Sequence, residues 1–163
     1  MFRSVEDFLS AWKTESASTL RVFGALNDDS LAQSVTPGGY SLGSLAVHIT
    51  GSIAKIPAYA GLLPMPTEAP APAGVAAIIA AYGHNAQQVA DAVAGQWSDA
   101  QLGEEIPMFG HTFRRGAVLG MLISHQGHHR AQMTVLMRQA GLKVPGVYGP
   151  SADDVAAAKA LGK

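Results

Sequence analysis

Residues 63–74 read LPMPTEAPAPAG, and this stretch does most to limit the fold. Each proline removes a backbone donor and fixes φ, so no helix can run through it; the segment is expected to be a stiff crossover. On both sides of it the apolar residues follow a helical period. In residues 4–26, Val5, Phe8, Leu9, Trp12, Leu20, Phe23 and Leu26 recur at spacings of three and four, and Ser4 with Asp7 resembles a capping box. This helix is expected to stop near Asn27, Asp28 and Asp29.

After a linker with Pro37, Gly38 and Gly39, a second helix is expected over 41–62, rich in Ser, Gly and Ala, with Pro57 as a kink site. Beyond the crossover, a third covers about 75–94, with Val75, Ile78, Ile79, Tyr82, Val89 and Val93 on one side. EIPMFGHTF, within 103–113, reads as a small hairpin turning at Gly110-His111. A fourth long helix is expected over 114–139, ending at Gly141 with Pro145 beyond, and Ser151 caps a short last one. The pattern predicts an all-α four-helix bundle, with a long crossover between helices two and three, as one domain over 1–163.

Composition narrows the function. Apolar residues make up 48% of the chain and charged residues 14%, and the net charge is -1, so no basic surface for nucleic acid is expected. The chain has no cysteine, which removes a disulfide framework, a thiolate metal site and a cysteine nucleophile. The start, MFRSVEDFLSAW, carries acids where a secretory signal has its apolar core, and no apolar run reaches the roughly 20 residues of a membrane span. A cytoplasmic protein without a membrane or nucleic-acid partner is expected.

The chemistry gathers in SHQGHHRAQ, residues 124–132, which holds three of the six histidines. On a helix, His125 and His129 lie about 40° apart, whereas His128 lies about 60° to the other side of His125. The apolar stripe of Val118, Met121, Leu122, Met133 and Leu136 centres near the His129 direction. His125 and His129 are therefore expected to face the bundle, with His128 at the margin and Gln132 placed to hold a ligand or a water; His128 and Gln132 are both candidates to support the ligands from behind or to line the pocket. Buried imidazoles need partners, and a metal ion is the strongest. The expected third ligand is His48, the one histidine of the second helix, which shares its face with Ser41, Ser44, Gly51, Ser52, Lys55 and Tyr59. Lys55 and Tyr59 are candidate pocket residues, and Arg130, about 140° from His125, is expected at a helix surface or a dimer contact. Three neutral imidazoles leave a coordination position for water or substrate, as catalytic sites do.

HQGHHRAQMTVLMRQAG followed by KVPGVYGPSADD resembles the C-terminal half of the DinB-like family. That family carries H-x-x-x-H-R-x-Q on its last bundle helix, matched here by His125, His129, Arg130 and Gln132, and a third histidine on its second helix, matched by His48. Ala131 stands where the family often has glycine. The resemblance covers nearly the whole chain. It implies a homodimeric four-helix bundle that binds zinc or nickel through three histidines, and some relatives use the metal to activate a low-molecular-weight thiol. The expected function is a metal-dependent hydrolase or thiol-dependent transferase acting on a small molecule. The alternative is a non-catalytic dimeric module that binds a metal or ligand.

Overall fold

The computed structural model describes residues 1–67 and 70–162. Its long helices are α1 (Val5–Gly24), α2 (Leu42–Tyr59), α3 (Val75–Gln96) and α4 (Arg115–Gln139), followed by a short α5 (Ala152–Ala160). Two strands, β1 (Glu105–Met108) and β2 (His111–Arg114), form an antiparallel hairpin between α3 and α4. Helices α1 and α2 each pack against both α3 and α4, so the bundle is a four-helix ring in which chain neighbours α1 and α2 sit diagonally. The core runs along its axis through Phe8, Trp12, Phe23, Leu45, Ile49, Ile53, Ile78, Tyr82, Leu122 and Met133. The predicted all-α bundle is the observed architecture. Glu68 and Ala69, inside the expected crossover, lie outside the described residues.

Local chemistry explains the ends of the elements. Ser4 Oγ accepts from the Asp7 amide at 3.2 Å, the half of a capping box that needs no reach from the shorter acid. Helix α2 starts with a full box between Ser41 and Ser44. It ends at Tyr59, two residues past Pro57, which lies inside its last turn. At the start of α3, the Asp28 carboxylate accepts from the Val75 amide at 2.7 Å, capping a helix 47 residues away in sequence. Two short 3-10 turns, Asp28–Ala32 and Asp99–Gly103, occupy links that the sequence reading leaves irregular. The hairpin turns at Phe109-Gly110, one residue earlier than expected, because Met108 pairs with His111. Both turn residues have positive φ (54° and 75°), as a type I′ turn requires, and glycine takes its second position while Phe109 carries the strain.

The largest difference concerns the rotation of α4. Its buried residues include Val118, Leu119, Leu122, Met133, Leu136 and Met137, but also Gln126 and Arg130. Relative to His125 this arc spans about +20° to +140°, so its centre lies some 40° beyond His129. His125 and His129 are therefore half-buried at the rim of the α2–α4 contact, and His128 is exposed. The expected interior position is corrected to an edge position. Gln126 and Arg130 share the far half of this arc with Leu119 and Met137 and so weaken its hydrophobic pattern.

Arg130 also departs from expectation. Only 1% of it is exposed, and it faces α1 rather than a surface or a partner copy. Its Nη2 donates to Glu15 Oε2 and to the Tyr148 hydroxyl, both at 2.6 Å, and Nη1 donates to the Glu15 carbonyl and Thr19 Oγ1. Gly127 leaves room for this arrangement, since a Cβ there would come within 3.1 Å of the Tyr148 hydroxyl oxygen. Beside it, buried Gln126 Oε1 accepts from Thr19 and Tyr82. Polar bonds thus join α4 to α1, α3 and the loop before α5.

Candidate metal centre

Helix α2 presents His48 across its contact with α4, which presents His125 and His129 one turn apart. One ligand-competent atom from each of these three histidines lies within 4.8 Å of the others. The closest approach is between His48 Nε2 and His125 Nε2, at 3.1 Å. Ring centroids stand 4.4 Å apart for His48–His129 and 4.6 Å for His125–His129. Zinc–nitrogen bonds of about 2.0–2.1 Å at a tetrahedral angle place two ligand nitrogens about 3.3 Å apart, so the His48–His125 pair already has the spacing for such an ion, with His129 close by. The chemistry of the donors fits as well: neutral imidazole is a standard ligand for divalent transition metals.

Gln132 stands behind the triad, one of the two places expected for it. Its Oε1, which can only accept, lies 2.8 Å from His129 Nδ1. That bond puts the His129 proton on Nδ1 and leaves Nε2 with a free lone pair. The same amide places its Nε2 3.3 Å from His128 Nε2, so His128 helps to hold Gln132 and does not join the triad. This is the arrangement by which groups behind metal ligands fix tautomer and ring orientation.

Two neighbours escaped the sequence reading as site residues. Ser52, one turn after His48, places Oγ 3.4 Å from His48 Nε2 and 3.2 Å from His125 Nε2. The spacing of four between His48 and Ser52 was the available signal. Tyr40, in the loop before α2, stands 6.3 Å from the His48 ring and 6.5 Å from the His129 ring, centroid to centroid. No helical period reaches a loop residue, so nothing in the sequence pattern marks it. Gly51 has open space where a Cβ would lie, so Ser52 rather than Gly51 is the small residue at the contact.

The remaining candidates are more distant. Lys55 is exposed, yet its charge reaches His48. Tyr59 packs edge-on against Phe109 at the hairpin turn, centroids 4.8 Å apart, about 16 Å along α2 from His48. The structure does not bring Tyr59 to the triad.

Burial, then the neighbouring His129, then Lys55 hold the His48 imidazole below its ordinary 6.5. For His125 the causes are burial, then His129, His48 and His128, again downward. Both rings are therefore neutral at pH 7, the state a metal needs. The same shifts predict how the metal-free protein responds to acid. Between pH 6.5 and the lowered folded values the unfolded chain binds more protons, so stability rises with pH there. The contribution is complete above pH 6.5 and is lost as pH falls through the folded values. Urea midpoints of chelator-treated protein are expected to drop below pH 6.5, and His48→Gln with His125→Gln is expected to flatten that drop.

The comparisons with known proteins bear on the family and the fold. YrdA of Bacillus subtilis (strain 168), an uncharacterized protein, is 39% identical over 156 residues, covering 94% of this chain and 93% of YrdA. A crystal structure of a DinB-like protein from Bacillus cereus ATCC 10987 superposes with a TM-score of 0.85 at 39% identity, covering 91% of this chain and all of that one. A second DinB-like structure, YjoA of Bacillus subtilis, shares the fold at a TM-score of 0.70 and 18% identity, covering 86% of this chain and 96% of its own. The sequence pattern of the DinB family matches residues 1–160, and the chain belongs to that family.

Proposed function

We propose that His48, His125 and His129 bind one divalent ion, zinc with nickel as the alternative, and that the chain is a metal-dependent hydrolase or thiol-dependent transferase acting on a small molecule. The observation that carries this reading is the 3.1 Å approach of two imidazole Nε2 atoms with a third histidine beside them. Such an ion supplies Lewis acidity, favouring the deprotonated form of a water or thiol that binds it. The chain has no cysteine, so a thiol would come from outside. Ser52 Oγ, within reach of both Nε2 atoms, is placed to hydrogen-bond a group entering between them. The rim position of the triad gives a small molecule direct entry. The homodimer implied by the family resemblance and the cytoplasmic setting expected from the sequence belong to the same reading; among the described residues, no helix is long and apolar enough to cross a membrane.

A second reading has its own support in Ser52. If its hydroxyl completes the coordination, the site is closed and the chain is a non-catalytic metal-binding module. Cobalt(II) substitution separates the two. An open position is expected to show a thiolate-to-cobalt charge-transfer band when a small thiol is added, and azide is expected to perturb the d–d bands. Visible spectra that ignore both additions would identify the closed module.

Gln132 gives a further test. Gln132→Ala removes the acceptor that orients His129, and metal affinity is expected to fall about 10- to 100-fold while a metal is still bound at saturation. Competition with a chromogenic chelator measures this.

A further inference from the structure

Beside the triad lies a groove of about 290 Å³, walled by Val35, Tyr40, Leu45, Gln132, Val135 and Leu136. It shares two walls with the metal centre: Tyr40 stands over His48 and His129, and the Gln132 amide is bonded to His129 Nδ1. Among the described residues, no charged one lines it. Val35, Tyr40 and Val135 are 67%, 61% and 54% exposed, an apolar surface left open to water within one side chain of the histidines.

We propose that this groove is the subsite for an uncharged apolar substituent of the substrate, a short alkyl chain or one ring, whose metal-seeking head sits at the triad. The inference rests on the metal reading above and narrows it. The head end has the triad's nitrogens, the Ser52 hydroxyl and the charge of Lys55 acting at His48. The tail end has mostly apolar walls, with Thr36 and Gln132 its polar members among the described residues. A thiol carrying several carboxylates or phosphates needs cations along its length, and the groove offers none among the described residues. The volume lies at the small end of the roughly 300–1,000 Å³ of small-molecule sites, which limits the tail to a compact group.

The test uses the full chain loaded with zinc and a series of straight-chain hydroxamates, from acetohydroxamate to octanohydroxamate, titrated by calorimetry. Zinc uptake and acetohydroxamate binding report the metal reading; the dependence on chain length reports the groove. Affinity is expected to rise about three- to fourfold per methylene until the groove is full, then level off. Val135→Asn and Val35→Asn, both at exposed positions, are expected to flatten that rise and leave acetohydroxamate affinity unchanged. Val135→Trp, which fills the groove, is expected to abolish the advantage of the longer chains. Acetohydroxamate binding with no chain-length dependence would overturn the subsite and spare the metal reading. Failure to take up zinc would overturn both. Sedimentation equilibrium on the same variants covers the other occupant: a flat series together with a dimer broken by Val135→Asn would assign the patch to a second copy and overturn the subsite.

Discussion

Replacing His48, His125 or His129 by alanine is expected to abolish near-stoichiometric metal binding, whereas His128→Ala is expected to leave it in place. Elemental analysis of untagged protein, wild type beside the four variants, measures this directly. The reason lies in how the ligands are distributed. His125 and His129 come from one turn of α4, but His48 comes from α2, 77 residues earlier in the chain, and only the packed bundle brings them together. Losing any one leaves two imidazoles, too few for a stable site of this kind. His128 touches Gln132 instead, so its removal costs at most the support of a supporting residue. Because the ion would join two helices, binding is also linked to folding. At a free concentration a hundred times the dissociation constant it adds about 2.7 kcal/mol, equivalent to roughly 5–10 °C in melting temperature for a chain of this size. That increment is expected in wild type and His128→Ala and absent from the other three. Metal retained by His48→Ala, or lost only with His128, would sink the assignment.

Part of this was legible from residue spacing, for physical reasons that differ between elements. Long helices announce themselves because the apolar face repeats many times, as in α1 and α3. The hairpin turn was misplaced by one residue because only the pairing of Met108 with His111 fixes it, and a Phe at positive φ is a choice local propensity would not make. Helix phase alone separated His128 from its neighbours, since 100° per residue holds whatever the surroundings. Burial was harder. A hydrophobic pattern reads the buried arc of α4 from apolar residues alone, yet Gln126 and Arg130 lie in it: Thr19 and Tyr82 donate to Gln126 Oε1, and Glu15 and Tyr148 accept from Arg130. Those partners lie on other elements, and one sequence gives no sign of the pairing. Tyr40 and the reach of Ser52 are hidden for a related reason: the helical period puts Ser52 on the His48 face, but its approach to His125 and the placing of a loop tyrosine depend on adjacent elements.

Arg130→Met is expected to cost about 3–5 kcal/mol of stability, a fall in melting temperature on the order of 10 °C, without removing the metal from the folded protein. The guanidinium is buried against Glu15, and deleting it leaves a carboxylate that is itself only 8% exposed with its main partner gone. The cost comes mostly from that stranded charge, so the double variant Glu15→Gln, Arg130→Met is expected to recover a large part of the loss. Tyr148→Phe removes one hydroxyl from the same cluster, while the ring still lies over the guanidinium at 5.1 Å, and is expected to cost nearer 1 kcal/mol. Chemical denaturation of the set, with metal content measured beside it, distinguishes an internal anchor from the surface or dimer contact that the sequence suggested. A surface contact would show almost no change in monomer stability, and a dimer contact would show one that depends on protein concentration. An anchor shows a large change at any concentration and no change in ligand number. His129 and Arg130 are adjacent but face about 100° apart on α4, so one helix turn carries two separate tasks. The arginine fixes how α4 is rotated against α1, and that rotation is what sets His125 and His129 opposite His48.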